Sequence, residues 1–219
     1  MKLKKICLLT LLSLCILVSK AQQYNSFIDS RDGNVYKTVT IGEQTWFAEN
    51  LKYLPFIADP KQGSKNTPYY YVLKYISNNL INAKTTFNYN TFGVLYNWTA
   101  ALNSCPKGWH LPSCDEWALL INYLGGEDLA GGKLKKIDTI LWNNPNIGAT
   151  NESGFSAIPA GSRSYDGTFY GIGEGCCWWT TSEREPLRSY ANNVDYAYNM
   201  IYQGFYLKEI GLSVRCLND

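Results

Sequence analysis

Histidine is nearly missing from this chain, with one in 219 residues, and methionine contributes only two. A nucleophilic serine or cysteine needs a base and an orienting acid in fixed geometry. With His110 as the sole imidazole, spacing nominates no such set, so no catalytic residue is assigned and an enzyme is not expected. The chain also lacks any Cys-x-x-Cys pair, which excludes the usual zinc frameworks. No metal site and no cofactor are expected. Charge is sparse, at 17% Asp, Glu, Lys and Arg, and no basic stripe is present to attract nucleic acid. Past residue 18 there is no apolar run approaching the roughly 20 residues that a bilayer span needs.

The first residues carry Lys2, Lys4 and Lys5, then an apolar run from Ile6 to Val18, then Ser19, Lys20 and Ala21. This is the layout of a secretory signal peptide over residues 1–21, with cleavage expected near Ala21. Leu14 before Cys15 does not fit a lipoprotein box, in which a small residue precedes the cysteine. Four of the 20 basic residues and none of the 18 acidic ones lie in that leader, leaving 16 against 18 and a mature charge near −2. The expected location is secreted, periplasmic or cell-surface. A mature chain of this size buries roughly 70% of its unfolded surface. One domain over 31–219 is expected, after a polar linker at 22–30.

Cys105, Cys114, Cys176, Cys177 and Cys216 remain after cleavage. An odd count in an exported chain leaves at least one thiol free or intermolecular. Neighbouring Cys176 and Cys177 do not bond each other without strain. A bridge from Cys114 to one of them is open, with Cys177 the nominated partner.

Val35 to Ile41 alternates as strands do, with turn residues on either side, so 35–41 and 44–48 predict a hairpin. The tract from Pro55 to Thr91 has no clean period and reads as a surface excursion with one short element near Tyr70 to Tyr75. From Thr91 to Asn103, Leu95, Trp98, Ala101 and Leu102 predict a short helix. Ser113 and Glu116 form a capping box, followed by Trp117, Leu120, Ile121 and Leu124 at helical spacing. Gly125 and Gly126 stop that helix. Ala130 to Lys136 reads as a Gly-rich entry, 143–154 as a loop, and 154–161 as a brief buried strand or turn. After a turn-rich loop at 167–175, strands are predicted at 176–182, 189–193, 198–203 and 211–216. Glycine this dense argues for tight β connections in an α+β fold.

In order along the chain, TWFAENLKY, FGVLYNWTAAL, CPKGWHLPSCDEW, AGGKLK, SGFSAIPAG, CWWTTS and GLSVRC closely resemble the Fibrobacter succinogenes major paralogous domain, a family of exported bacterial proteins. The resemblance runs from about Asp29 to Asp219. That family is similar to the C-type-lectin-like fold, with two short helices flanking a loop-rich antiparallel sheet and a cysteine near a helix bonded to one in the last strand. The resemblance therefore implies a Cys105–Cys216 disulfide. Family members often carry another cysteine pair before the FGVLYNW-like segment, whereas 69–90 here has none, which predicts a looser tract.

Calcium-dependent lectins bind sugar through Glu-Pro-Asn and Trp-Asn-Asp motifs. Here Leu187 follows Glu185 and Pro186, and Asn144 stands where the second motif needs an acid, so calcium lacks its usual ligands. His110 is expected to be a hydrogen-bonded structural residue. Trp178 and Trp179 sit on one predicted strand and so point to opposite faces. One is expected in the core; the other, beside Tyr165, Tyr170 or Tyr202, is a candidate stacking platform for a sugar ring or peptide side chain. The tyrosines of 69–75 read as cover for the sheet. The expected function is an exported binding module presenting loops to a glycan or a cell-envelope protein. Two alternatives stand: a structural surface domain without a small ligand, and a cysteine-dependent enzyme using Cys176 or Cys177, as the related formylglycine-generating enzymes use cysteines.

Overall fold

In the computed structural model, residues 23–219 are described, and the expected signal peptide at 1–21 lies outside the described residues. Strand β1 (Tyr24–Ile28) pairs antiparallel with β2 (Val35–Ile41), which turns at Gly42 into β3 (Gln44–Phe47). The expected hairpin is present. The stretch expected as a linker instead contributes an edge strand, mostly exposed. Phe27 anchors it, its ring 5.3 Å from that of Trp109 and 5.7 Å from that of Phe47.

The tract from Pro55 to Thr91 holds three elements: β4 (Tyr70–Val72), α1 (Leu80–Thr85) and α2 (Phe87–Phe92). Each helix has 6 residues, too few to show a period. Side-chain caps mark them instead: Asn79 accepts from the Asn82 amide, and Thr86 from that of Tyr89. Tyr70 and Tyr71 are buried, as expected of a sheet cover. The helix expected over 91–103 is cut by Gly93, whose φ is 78°. Beyond it lie β5 (Val94–Tyr96), paired with β4, and the short helix α3 (Trp98–Ala101).

After β6 (Trp109–His110), helix α4 (Cys114–Tyr123) starts on the predicted capping box and buries Trp117, Leu120 and Ile121. Helix α5 (Glu127–Leu134) occupies the expected Gly-rich entry. Its two central glycines are there for closeness: a Cβ on Gly131 would overlap the carbonyl of Met200, and one on Gly132 the side chain of Asn199. Glycine weakens a helix, so this segment gave no helical signal.

The remaining strands are β7 (Ala160–Arg163), β8 (Phe169–Ile172), β9 (Gly175–Glu185), β10 (Arg188–Asp195), β11 (Ile201–Leu207) and β12 (Leu217–Asn218). They complete two five-stranded sheets, ordered β1-β2-β3-β12-β6 and β11-β10-β9-β7-β8, with β4-β5 as a separate ribbon. Strand β8 forms where a loop was expected, and the last strand begins only at Leu217. The segment before it joins other elements through single bridges: Gly211 to Arg163, Leu212 to Tyr96, and Ser213 to Trp178. The class is α+β with sheet predominant, but five short helices replace the two expected among the described residues.

Both faces of β9 are covered. Cys176 and Trp178 join the core under α4 and α5, while Trp179 and Ala191 join a second core with Tyr96, Leu212 and Val214. Two buried cations, Lys135 and Arg163, lock loops to these cores through main-chain carbonyls. Lys135 Nζ donates to Ile147, Asp195 and Tyr198 at 2.7–2.8 Å. Arg163 donates to Pro60, Gln62 and Glu209 and lies 4.6 Å above the Tyr71 ring. The Cys105–Cys216 disulfide is formed, closing a separation of 111 residues. Loop-closure entropy gives such a bridge about 4.7 kcal/mol as an upper figure.

Candidate ligand-binding site

A groove of about 360 Å³ opens where β8, β7, β9 and β11 present side chains together. Tyr170 of β8 stands 54% exposed on one side and β11 presents the half-buried Tyr206 on the other, the ring of the next residue back, Phe205, turning to the opposite face of the strand with Tyr190. Between them lie Ser162, Ser164 and Arg188, with Leu212 and Cys177 also lining the groove. The Arg184 guanidinium covers Phe205 at 4.1 Å, and Arg188 is held by Glu185 at 2.8 Å. The combination of aromatic faces with a few convergent polar groups is that of a small-ligand site.

The groove keeps part of the predicted platform and corrects the rest. Tyr170 lines it; Tyr165, 64% exposed, sits in the β7–β8 turn beyond it. Trp178 and Trp179 do point to opposite faces, but neither is available to a ligand, since both faces of β9 are packed and both indoles are fully buried. Their ring N–H groups are also spent, on Asn50 Oδ1 at 2.9 Å and on the Tyr96 carbonyl at 2.8 Å. Tyr206 and Arg188 were missed because the predicted strands stopped at Gln203 and began at Ser189. Continuing the aromatic pattern of Tyr202 through Phe205 and Tyr206 would have found one of them.

The nominated Cys114–Cys177 bridge does not form, and Cys114, Cys176 and Cys177 are free. The sheet separates the pair. Cys114 Sγ lies 3.5 Å from Thr180 Oγ1, and Cys177 projects from the opposite face of β9. There the Cys177 thiol donates to Asn193 Oδ1, which also accepts from the Tyr206 hydroxyl at 2.8 Å. Burial, with the nearby Cys176, pushes the Cys177 thiol far above its ordinary range. Burial likewise raises Cys176, which donates to Ser213 Oγ at 3.6 Å. A protonated thiol is a poor nucleophile.

His110 has the structural surroundings expected of it. Its Nδ1 is 2.7 Å from Asp219 Oδ1 and its Nε2 is 2.8 Å from Glu116 Oε1, while Glu116 Oε2 accepts from both the amide and hydroxyl of Ser113.

The signature segments of the sequence meet at one buried guanidinium. Arg215, from GLSVRC, donates from Nε and Nη2 to Asn50 Oδ1 of TWFAENLKY at 3.3 and 3.1 Å. Its Nη1 donates to the carbonyls of Phe47 and of Phe155 in SGFSAIPAG, and it stacks 4.2 Å from the Phe155 ring. Trp178 of CWWTTS shares the same Asn50 oxygen. A family model for the Fibrobacter succinogenes major domain matches residues 39–218. The chain belongs to this family. In the Fibrobacter succinogenes major domain seen here, four of these segments build the core network, and two of them also reach the groove, through Cys177 and Leu212. Neither the curated proteins nor the solved structures yield a match to the chain.

Proposed function

We propose that this protein is an exported binding module of C-type-lectin-like architecture that holds a glycan in the groove between Tyr170 and Tyr206. The observation that carries the reading is the exposed ring of Tyr170 and the half-buried ring of Tyr206 lining one groove with two serine hydroxyls and a guanidinium. A pyranose offers an apolar C–H face to an aromatic ring and hydroxyls to such polar groups, and a rigid ring costs little ordering entropy on stacking. The leader-like N-terminus and the disulfide support an oxidising location outside the cytoplasm. The protonated, buried thiols lend no support to a cysteine-dependent reaction.

A glycan array with the mature chain, followed by calorimetry, tests this. The reading expects at least one glycan class to bind, with Tyr170→Ala weakening it about tenfold or more and Phe205→Ala, on the other face of β11, leaving it in place. An empty array together with an empty pull-down from cell-envelope extracts would leave the domain as a structural surface element.

A further inference from the structure

A second cavity, of about 430 Å³, shares no residue with the groove. It is bounded by Tyr24 of β1, Lys37 of β2, Glu49 beyond β3, Asn90 in α2, and Asn151 and Ser156 from the loop before β7. Two of these, Asn151 and Ser156, hold left-handed backbones, with φ of 50° and 57°. Non-glycine residues adopt that conformation only where the surroundings enforce it, and such strain gathers at functional sites. Here the enforcement is mutual. Asn151 Oδ1 accepts from the Ser156 amide at 2.8 Å and Asn151 Nδ2 donates to Ser156 Oγ at 3.1 Å, which aims that hydroxyl toward Tyr24 OH, 3.3 Å away.

The charges around the cavity do not balance. Among the described residues, the Lys37 ammonium has no carboxylate partner, its one contact being the Tyr24 ring at 5.9 Å. Behind the wall, Arg215 is fully buried and bonded only to neutral acceptors. Lys136 also lines the cavity and is met by Asp138 at 3.2 Å. Among the described residues the only carboxylate in the wall is Glu49, whose Oε2 accepts from the Lys37 amide at 2.9 Å and whose Oε1 lies 4.0 Å from Lys52 Nζ. The field therefore favours an anion. Glu49 sets a limit on it, since its free lone pairs repel a multiply charged oxyanion but accept from a hydroxyl.

We propose that this cavity binds a hydroxylated monocarboxylate of the hexuronate class, with the carboxylate on Lys37 and ring hydroxyls on Glu49, Tyr24 and Ser156. The site is independent of the groove and does not depend on the function proposed for it.

Calorimetric titration of the mature chain with glucuronate, glucose and inorganic phosphate tests the assignment. Glucuronate is expected to bind at least tenfold more tightly than glucose or phosphate, and to weaken as salt is raised. Lys37→Gln, a change at an exposed side chain that leaves the melting temperature in place, is expected to weaken glucuronate about tenfold. Tyr170→Ala, in the groove, is expected to leave it unchanged. Equal affinity for glucose, tighter binding of phosphate, no binding of glucuronate, or a glucuronate affinity that falls with Tyr170→Ala but not with Lys37→Gln would each overturn the proposal. An unproductive glycan array with intact glucuronate binding would remove the groove reading and leave this one standing.

Discussion

The Nε2 of His110 lies 2.8 Å from Oε1 of Glu116, the residue whose other oxygen closes the capping box of α4. One carboxylate thus joins strand β6 to the start of a helix, and its charge state sets the stability of both.

That relationship has a defined pH window. Burial pulls the His110 pKa down, but the bonds to Asp219 and Glu116 outweigh it and hold the group above 6.5. Burial pushes Glu116 up, but the Ser113 amide, His110 and the Ser113 hydroxyl hold it below 4.5. A raised histidine stabilises fully below its unfolded pKa and stops as pH climbs through the folded value. A depressed carboxylate stabilises above its unfolded pKa and stops as pH falls through the folded one. Urea midpoints are therefore expected to peak between about 4.5 and 6.5. In His110→Gln the decline on the alkaline side should flatten; an unchanged profile would contradict this account.

Peptide mapping of residues 23–219 under non-reducing conditions is expected to return one bridge, Cys105 to Cys216, and three alkylatable thiols once that stretch is unfolded. Replacing both bridged cysteines by alanine should lower the unfolding free energy by about 2–4 kcal/mol in chemical denaturation. A bridge found at Cys114 would refute the separation of the free thiols by the sheet.

Arg215→Ala should be among the most damaging single changes. It empties a fully buried site, takes a donor from the Phe47 and Phe155 carbonyls and leaves Asn50 Oδ1 with the Trp178 indole alone. Although burial lowers the Arg215 pKa to about 10, it remains charged at neutral pH. A loss of about 3–5 kcal/mol follows from the cavity and the orphaned acceptors. A denaturation midpoint close to that of the unaltered protein would show that the network is dispensable.

Gly131→Ala reverses the usual sign of a helix substitution. In an open helix interior alanine gains roughly 1 kcal/mol over glycine. Against the Met200 carbonyl, the added methyl should instead cost about 1–3 kcal/mol as overpacking. A raised melting temperature for this variant would mean that α5 sits farther from β11 than described.

What the sequence made legible was whatever rests on local chemistry. The α4 capping box, the β2–β3 hairpin and the opposite facing of Trp178 and Trp179 depend on neighbours a few residues away. What escaped it depends on distant partners. Glycines 131 and 132 signal a break until β11 and Asn199 are seen against them. The apparent helical spacing of Leu95 and Trp98 is coincidence, because one lies in a strand paired with β4 and the other opens α3. The groove was half visible: Tyr170 was named, yet Tyr206 depended on where an edge strand ends. The charge imbalance around Lys37 arises from five separate segments, and no spacing encodes it.

Residues 211–217 are all buried, and they touch β3, β5, β7 and β9 in turn. They also carry the guanidinium of the core network and one half of the disulfide. This keystone emerges from the ribosome after every element it joins. Until it arrives, the two sheets have nothing to close around, so folding is expected to be late, long-range and all at once.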